Sequence, residues 1–179
     1  MAQLPSTTLY GRTLYQKLLR CGEEIRFYNV DCSSSVNNAL QLFSPRNMKS
    51  DPTDVSAPFN LGNMLRADGR NVEAEAALRA ATNVDPTFAD AWYNLSDSRD
   101  EQGRSEAAIE SLRTALRVAP DYADAMFNLA LLLQRKNQYA EAADYWCRYL
   151  ASDARSEWGA RARRSLKFCE IQVNLIASA

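Results

Sequence analysis

The sequence predicts an all-α fold, a solenoid of stacked antiparallel helix pairs, on three observations. Residue types recur at a step of 34: Leu61, Leu95 and Leu129; Ala74, Ala108 and Ala142; Asn60, Asn94 and Asn128; Pro52, Pro86 and Pro120. Within each period, apolar residues fall in two runs with the i, i+3, i+4 spacing of an amphipathic helix. Between the runs stands a residue suited to left-handed backbone: Gly69, Gly103 or Asn137. One such unit cannot bury its apolar face alone, so neighbours must stack into a continuous core.

The middle unit shows the construction. Its first helix, Ala89–Gln102, carries Trp92, Leu95 and the small Ser96; its second, Ser105–Val118, carries Ala108, Ile109, Leu112, Ala115 and Leu116. Pro86 and Pro120 follow the second helices, where proline stops one helix and sets up the next. Small residues at Gly62, Ser96 and Ala130, and at Ala74, Ala108 and Ala142, let paired helices approach closely. Leu78, Leu112 and Trp146 are expected to fill the space between adjacent pairs.

In order, Trp92-Tyr93-Asn94-Leu95, Gly103, Ala108, Leu112, Ala115 and Pro120 resemble the tetratricopeptide repeat pattern. The resemblance covers residues 54–155 as three units, 54–87, 88–121 and 122–155, and implies a right-handed α-α superhelix. Four places depart from it. Pro58 stands where Trp92 does, within the first turn where proline is tolerated. Arg99 takes the place of Leu65 and Leu133, which predicts a partly open inter-helix contact. Tyr149 replaces the small Ala81 and Ala115, and Ala154 replaces the closing proline.

Residues 156–179 read as one further, capping helix, with Trp158, Ala162, Leu166, Cys169, Val173 and Ile176 on one face. Phe168, Ile171 and Leu175 form a second apolar stripe. Either the N-terminal segment folds back over this stripe or it is a contact in a homo-oligomer, since an apolar patch left bare would be unusual. Residues 1–53 do not follow the repeat and read as a helical N-terminal extension or cap. Helices are expected at Thr8–Tyr28 and Ser33–Phe43, with a linker at Ser44–Thr53.

Composition narrows the function. Histidine is absent, which removes Ser-His and Cys-His nucleophile pairs and the usual general base at neutral pH. The six glycines form no phosphate loop, and the four cysteines lack the CxxC pairing of metal sites. No enzyme activity, cofactor or metal is expected. Carboxylates one turn apart, Asp97 and Glu101, read as surface charges rather than an acid/base pair. Apolar runs are too short for a membrane helix and Met1–Arg12 lacks a secretory pattern, so a cytoplasmic protein with reduced thiols is expected. Residues 54–155 hold 11 Lys and Arg against 16 Asp and Glu, while both flanks are mildly basic. That balance disfavours nucleic acid on the repeats.

The family resemblance implies that the first helix of each pair lines an inner, concave surface. Its residues here would be Phe59, Asn60, Asn63 and Arg66; then Asp90, Tyr93, Asn94, Asp97 and Glu101; then Asp124, Phe127, Asn128, Leu131 and Arg135. The column Asn60, Asn94, Asn128 could pair with an extended peptide backbone, each amide offering donor and acceptor. The column could equally satisfy neighbouring groups within the array. It resembles the asparagine ladder of O-linked N-acetylglucosamine transferases. Asp90, Asp97, Asp100, Glu101 and Asp124 around Tyr93 and Phe127 suit a basic or mixed peptide, or serve only as a solvated acidic face. Phe59, Asp124 and Asn128 stand where chaperone-tail binders of the family carry cations, so a C-terminal carboxylate is not the expected ligand. The expected function is a protein–protein interaction module that binds a peptide in the groove. The alternative is a self-associating structural or regulatory protein, a homodimer for example, using the C-terminal helix (Phe168, Ile171, Leu175) and the N-terminal extension.

Overall fold

The structure is a computed structural model that describes residues 54–178. The expected N-terminal helices and linker lie outside the described residues. Among those described there are seven helices and no strand. They are α1 (Ser56–Ala67), α2 (Asn71–Val84), α3 (Ala89–Glu101), α4 (Ser105–Val118), α5 (Ala123–Arg135), α6 (Tyr139–Ser152) and α7 (Glu157–Ala177). Each helix packs on its successor, giving three antiparallel pairs and a last single helix, an all-α solenoid.

The turn inside each pair is the same device three times. Gly69 and Gly103 have φ of 74° and Asn137 has φ of 61°. Their N–H groups donate to Arg66 O, Asp100 O and Gln134 O at 2.9, 2.8 and 3.1 Å. The following N–H, of Arg70, Arg104 or Gln138, reaches back to Leu65 O, Arg99 O or Leu133 O, each at 2.9 Å. The left-handed residue thereby satisfies carbonyls that the helix end leaves open.

Close approach within pairs depends on the small residues. Ala74, Ala108, Ala142 and Ala130 are fully buried, as is Ser96 to within 1%. A Cβ at Gly62 would lie 2.5 Å from Leu78 Cγ. Leu78 thus packs inside its own pair, across from Gly62, where the sequence placed it between pairs. Arg99 differs from expectation as well. Its contact is not open but filled by a polar cluster, described below, that replaces leucine packing with hydrogen bonds.

An aromatic pair repeats along the stack. Phe59 meets Phe88 at 4.7 Å between centroids, Tyr93 meets Tyr122 at 5.2 Å, and Phe127 meets Trp158 at 5.3 Å. Each joins a first helix to the start of the next first helix. Phe127 also carries Trp146 at 4.9 Å and Tyr149 at 5.1 Å, both edge-on, an arrangement that ring quadrupoles favour.

The turn into α7 has no proline. Asp153 holds it instead, accepting from the Ser156 N–H at 3.1 Å, the Tyr149 hydroxyl at 2.9 Å and the Ser156 hydroxyl. Ser156 then caps α7, its Oγ accepting from the Gly159 N–H at 3.0 Å. Gly159, Ala162 and Cys169 of α7 are buried, with the Cys169 thiol donating to Gln134 Oε1 at 3.6 Å. Trp158 and Ile176, expected on this buried face, are 45% and 65% exposed. The reason is length. Helix α7 has 21 residues and α6 has 14, so the far end of α7 overhangs its support by about 10 Å at ~1.5 Å per residue. Trp158, at the other end, packs on Phe127 at 5.3 Å and leaves its remaining surface open.

Candidate functional site

The first helices α1, α3 and α5 bring most of the predicted groove residues onto one connected face. Helical periodicity puts residues three and four apart on the same side, so Asn63 and Arg66 of α1 stand opposite Asn94 and Asp97 of α3. Asn94 Nδ2 donates to Asn63 Oδ1 at 2.8 Å, and Arg66 Nη1 donates to Asn94 Oδ1 at 3.1 Å. Arg66 Nη2 pairs with Asp97 Oδ2 at 2.9 Å. From α5, Asn128 Nδ2 donates to Tyr93 Oη at 3.1 Å and to Asp97 Oδ1 at 3.3 Å. A hydrogen-bonded row therefore crosses three helices.

This row changes the meaning of the asparagine column. Asn94 and Asn128 spend amide groups on neighbouring side chains, while Asn60 is exposed. The carboxylates also differ among themselves. Asp97 is centred in the row, with its side chain 15% exposed. Burial pushes its pKa up to about 6, with Glu101 and Asp100 nearby adding to the rise, against the opposing pull of Arg66 and the Asn128 hydrogen bond. Burial likewise raises the Tyr93 hydroxyl, helped by Asp97 and Asp124. Asp100 pairs with Arg135 at 2.6 Å, Asp90 accepts from the Tyr122 hydroxyl, and Glu101 is exposed. Asp124 and Leu131 are half-buried. Phe59 and Tyr93 are half-buried and engaged in the aromatic pairs. Phe127 is 7% exposed, packed edge-on among Trp146, Tyr149 and Trp158, so it forms wall rather than contact surface.

Two features escaped the sequence reading. The first is a cluster between the first and second pairs. Glu75, 6% exposed, accepts from Arg99 Nε at 3.1 Å, Gln102 Nε2 at 3.0 Å and Arg104 Nη1 at 2.6 Å. Arg99 Nη1 continues to Ser111 Oγ at 2.7 Å and Ala107 O at 3.2 Å. Burial works to raise the Glu75 carboxyl, but the Arg99 and Gln102 hydrogen bonds and the Arg104 and Arg99 charges hold it below the usual range. At the next junction the equivalent places are Ile109 and Leu133, both buried in the apolar core. The break in the 34-residue pattern at both positions was the available signal. The second feature is the α7 end of the face, where the Arg161 guanidinium lies 5.7 Å from the centres of both the Phe127 and Trp158 rings. No part of the repeat pattern extends that far.

The stripe Phe168, Ile171 and Leu175 is 43%, 48% and 57% exposed. Among the described residues no three His, Cys, Asp or Glu side chains gather as a metal site would, and no helix is long and apolar enough to cross a membrane.

Comparison with known proteins agrees with this architecture. Among solved structures, MamA superposes with a TM-score of 0.66 at 21% identity, covering 94% of this chain and 83% of that one. A tetratricopeptide repeat protein from Parabacteroides merdae ATCC 43184 gives 0.69 at 18% identity, over 89% of this chain and 58% of that one. The first TPR of Spaghetti (RPAP3), bound to the HSP90 peptide SRMEEVD, gives 0.62 at 15% identity, over 71% and 98%. These identities speak for the fold alone. No curated protein matches the sequence significantly. A tetratricopeptide repeat family model matches residues 59–115 and 93–158, more than half the chain, and the chain belongs to that family.

Proposed function

We propose that this protein binds a segment of a partner protein, basic or mixed in charge, along the face formed by α1, α3 and α5. The fold is that of a protein–protein interaction module. The observation that carries the finer reading is the row across three first helices, in which Asp97 and Asp124 place negative charge beside Tyr93, Arg66 reaches in to Asp97, and Asp90 and Glu101 stand exposed at the two ends of α3. Such a face holds its side chains in place before a ligand arrives, which lowers the ordering cost of binding. A structural relative holds a peptide, which supports the same use of the fold here. Phe59, Asp124 and Asn128 supply no cation for a carboxylate terminus, so the segment is read as cationic over α3 and α5.

The test is fluorescence anisotropy with labelled lysine-rich, mixed and glutamate-rich peptides against the wild type and an Asp90→Asn/Glu101→Gln variant. Both positions are exposed, so the fold should tolerate the change. Lysine-rich and mixed peptides should bind the wild type and lose several-fold in affinity on the variant. Equal affinity for both proteins would remove the reading.

A second reading rests on the stripe Phe168, Ile171 and Leu175, each more than two-fifths exposed on one helix. A face of this kind suits self-association through α7. Sedimentation of the wild type beside a Phe168→Ser/Leu175→Ser variant tests it, and a monomeric wild type at high concentration would end it.

A further inference from the structure

Beyond α5 the charge of the supporting helix changes sign. The last helix contributes Arg161, Arg163, Arg164 and Lys167 against Glu157 and Glu170. Of these, Arg161 is the one held against the aromatic pair that ends the stack, over Phe127 and Trp158. Cations elsewhere on this face are engaged: Arg66 with Asp97 at 2.9 Å and Arg135 with Asp100 at 2.6 Å. Arg161 is exposed and, among the described residues, has no ion pair, its guanidinium lying 5.7 Å from both ring centres. An exposed guanidinium offers a planar N–H fork that can meet a carboxylate with two parallel hydrogen bonds. Trp158 is 45% exposed. Phe88 and Tyr122 occupy the matching place in the earlier pairs and are partly buried there. The end of the face thus offers an apolar platform beside an uncommitted cation.

We propose that Trp158 and Arg161 form the anion-selective end of the groove, so that its occupant is a segment of mixed charge, cationic over α3–α5 and carrying an Asp or Glu side chain over α7. This rests on the groove reading above and narrows its ligand from basic or mixed to mixed. Neighbouring helix axes lie about 9–10 Å apart, which sets α3 and α7 about 20 Å apart across α5. An extended segment covers that span in about six residues. The lysine and glutamate positions of a matching segment should therefore stand about six residues apart.

The probe is a fluorescein-labelled peptide of about 11 residues, C-terminally amidated, with two lysines and two glutamates separated by a Ser/Gly spacer of about that reach. Companion peptides replace the glutamates with glutamine, or keep glutamine and free the C-terminal carboxylate. The mixed amide should bind the wild type about tenfold more tightly than its glutamine version, an ordinary margin for one charged pair. Arg161→Glu should abolish that difference, with helicity unchanged. Binding should also shift tryptophan emission in the wild type and less so in Trp158→Phe. If the freed terminus, and not the side-chain glutamates, restores the tenfold gain, the side-chain assignment is overturned in favour of a terminal carboxylate. If lysine peptides bind but glutamates and Arg161→Glu make no difference, the α7 end is idle while the groove reading survives. If no peptide binds the wild type, both fall together.

Discussion

Glu75 and Arg99 offer a decisive perturbation, because the next junction shows what the fold uses in their place. Glu75→Ile alone leaves the Arg99 guanidinium, 17% exposed, with only Ser111 Oγ and Ala107 O as neutral acceptors. An uncompensated buried charge of this kind costs about 3–5 kcal/mol. Arg99→Leu alone is milder, since Glu75 keeps Arg104 at 2.6 Å and Gln102 at 3.0 Å, and about 1–3 kcal/mol is expected. The double change installs the Ile109/Leu133 pairing of the next junction and leaves no buried orphan. Ser111 Oγ still donates to Ala107 O at 2.9 Å, and Gln102 still reaches Asn71 O and Ser98 O at 3.2 and 3.0 Å. Arg104 is 52% exposed and can turn to water. Replacing a buried ion pair by packed apolar residues is often neutral or stabilising by about 1–4 kcal/mol. The double variant should therefore lie within about 1 kcal/mol of the wild type or above it, a coupling of about 3 kcal/mol or more. Urea denaturation followed by circular dichroism measures this directly, provided the m-value stays constant across the four proteins. If the two losses simply add, the cluster is not an isolated pair substitution and the reasoning fails.

Other outcomes follow from single contacts. Asp97, raised to about 6 from 3.8, binds an extra proton in the folded state between those values, so stability should fall as pH rises from about 4 to about 6 and level off above. That slope, at most about 3 kcal/mol, should flatten in Asp97→Asn, and an unchanged slope in denaturation midpoints would contradict it. Gly159→Ala places a Cβ 2.4 Å from the Asp153 carbonyl oxygen, against backbone that cannot swing aside, and should cost about 2 kcal/mol by thermal denaturation. Gly103→Ala meets nothing within 4 Å, and its smaller loss, about 1–2 kcal/mol in the same assay, reflects only the φ of 74°. Trp146→Ala empties a site with 0% exposure under Phe127 and should lose about 3–5 kcal/mol in urea.

Much of this was legible from the 34-residue step, because helix pairing is local. Small residues in register can only mean close approach, and Gly69, Gly103 and Asn137 announce left-handed turns by their chemistry. The second helix of the middle pair, Ser105–Val118, was placed to the residue. What the pattern could not convey was how a departure from it is accommodated. Arg99 in a leucine column predicts a gap when read alone. It becomes a buried hydrogen-bonded cluster only when Glu75, a residue of the preceding pair, is seen across from it. A one-dimensional period aligns equivalent positions in successive units, whereas packing couples different positions in adjacent ones. The exposure of Trp158 and Ile176 was out of reach for the same reason, since it depends on what lies beside α7 rather than on its own periodicity.

The asparagine column carries that argument into function. Asn60, Asn94 and Asn128 are equivalent in sequence, yet Asn94 is bonded on both sides to α1, Asn128 reaches back to α3, and Asn60 is exposed. Register fixes where a side chain stands; the preceding helix decides whether it is spent. By the same rule, each first helix start covers the aromatic residue before it, as Phe88 covers Phe59 and Tyr122 covers Tyr93. The last such pair among the described residues is at α7, where Trp158 meets Phe127 and is itself 45% exposed. Within the described residues, the groups between successive first helices are committed to each other, while those on α7 are less so. That helix holds an exposed indole and the Arg161 guanidinium, so the end of the groove is better placed to discriminate among ligands than the asparagine column at its centre.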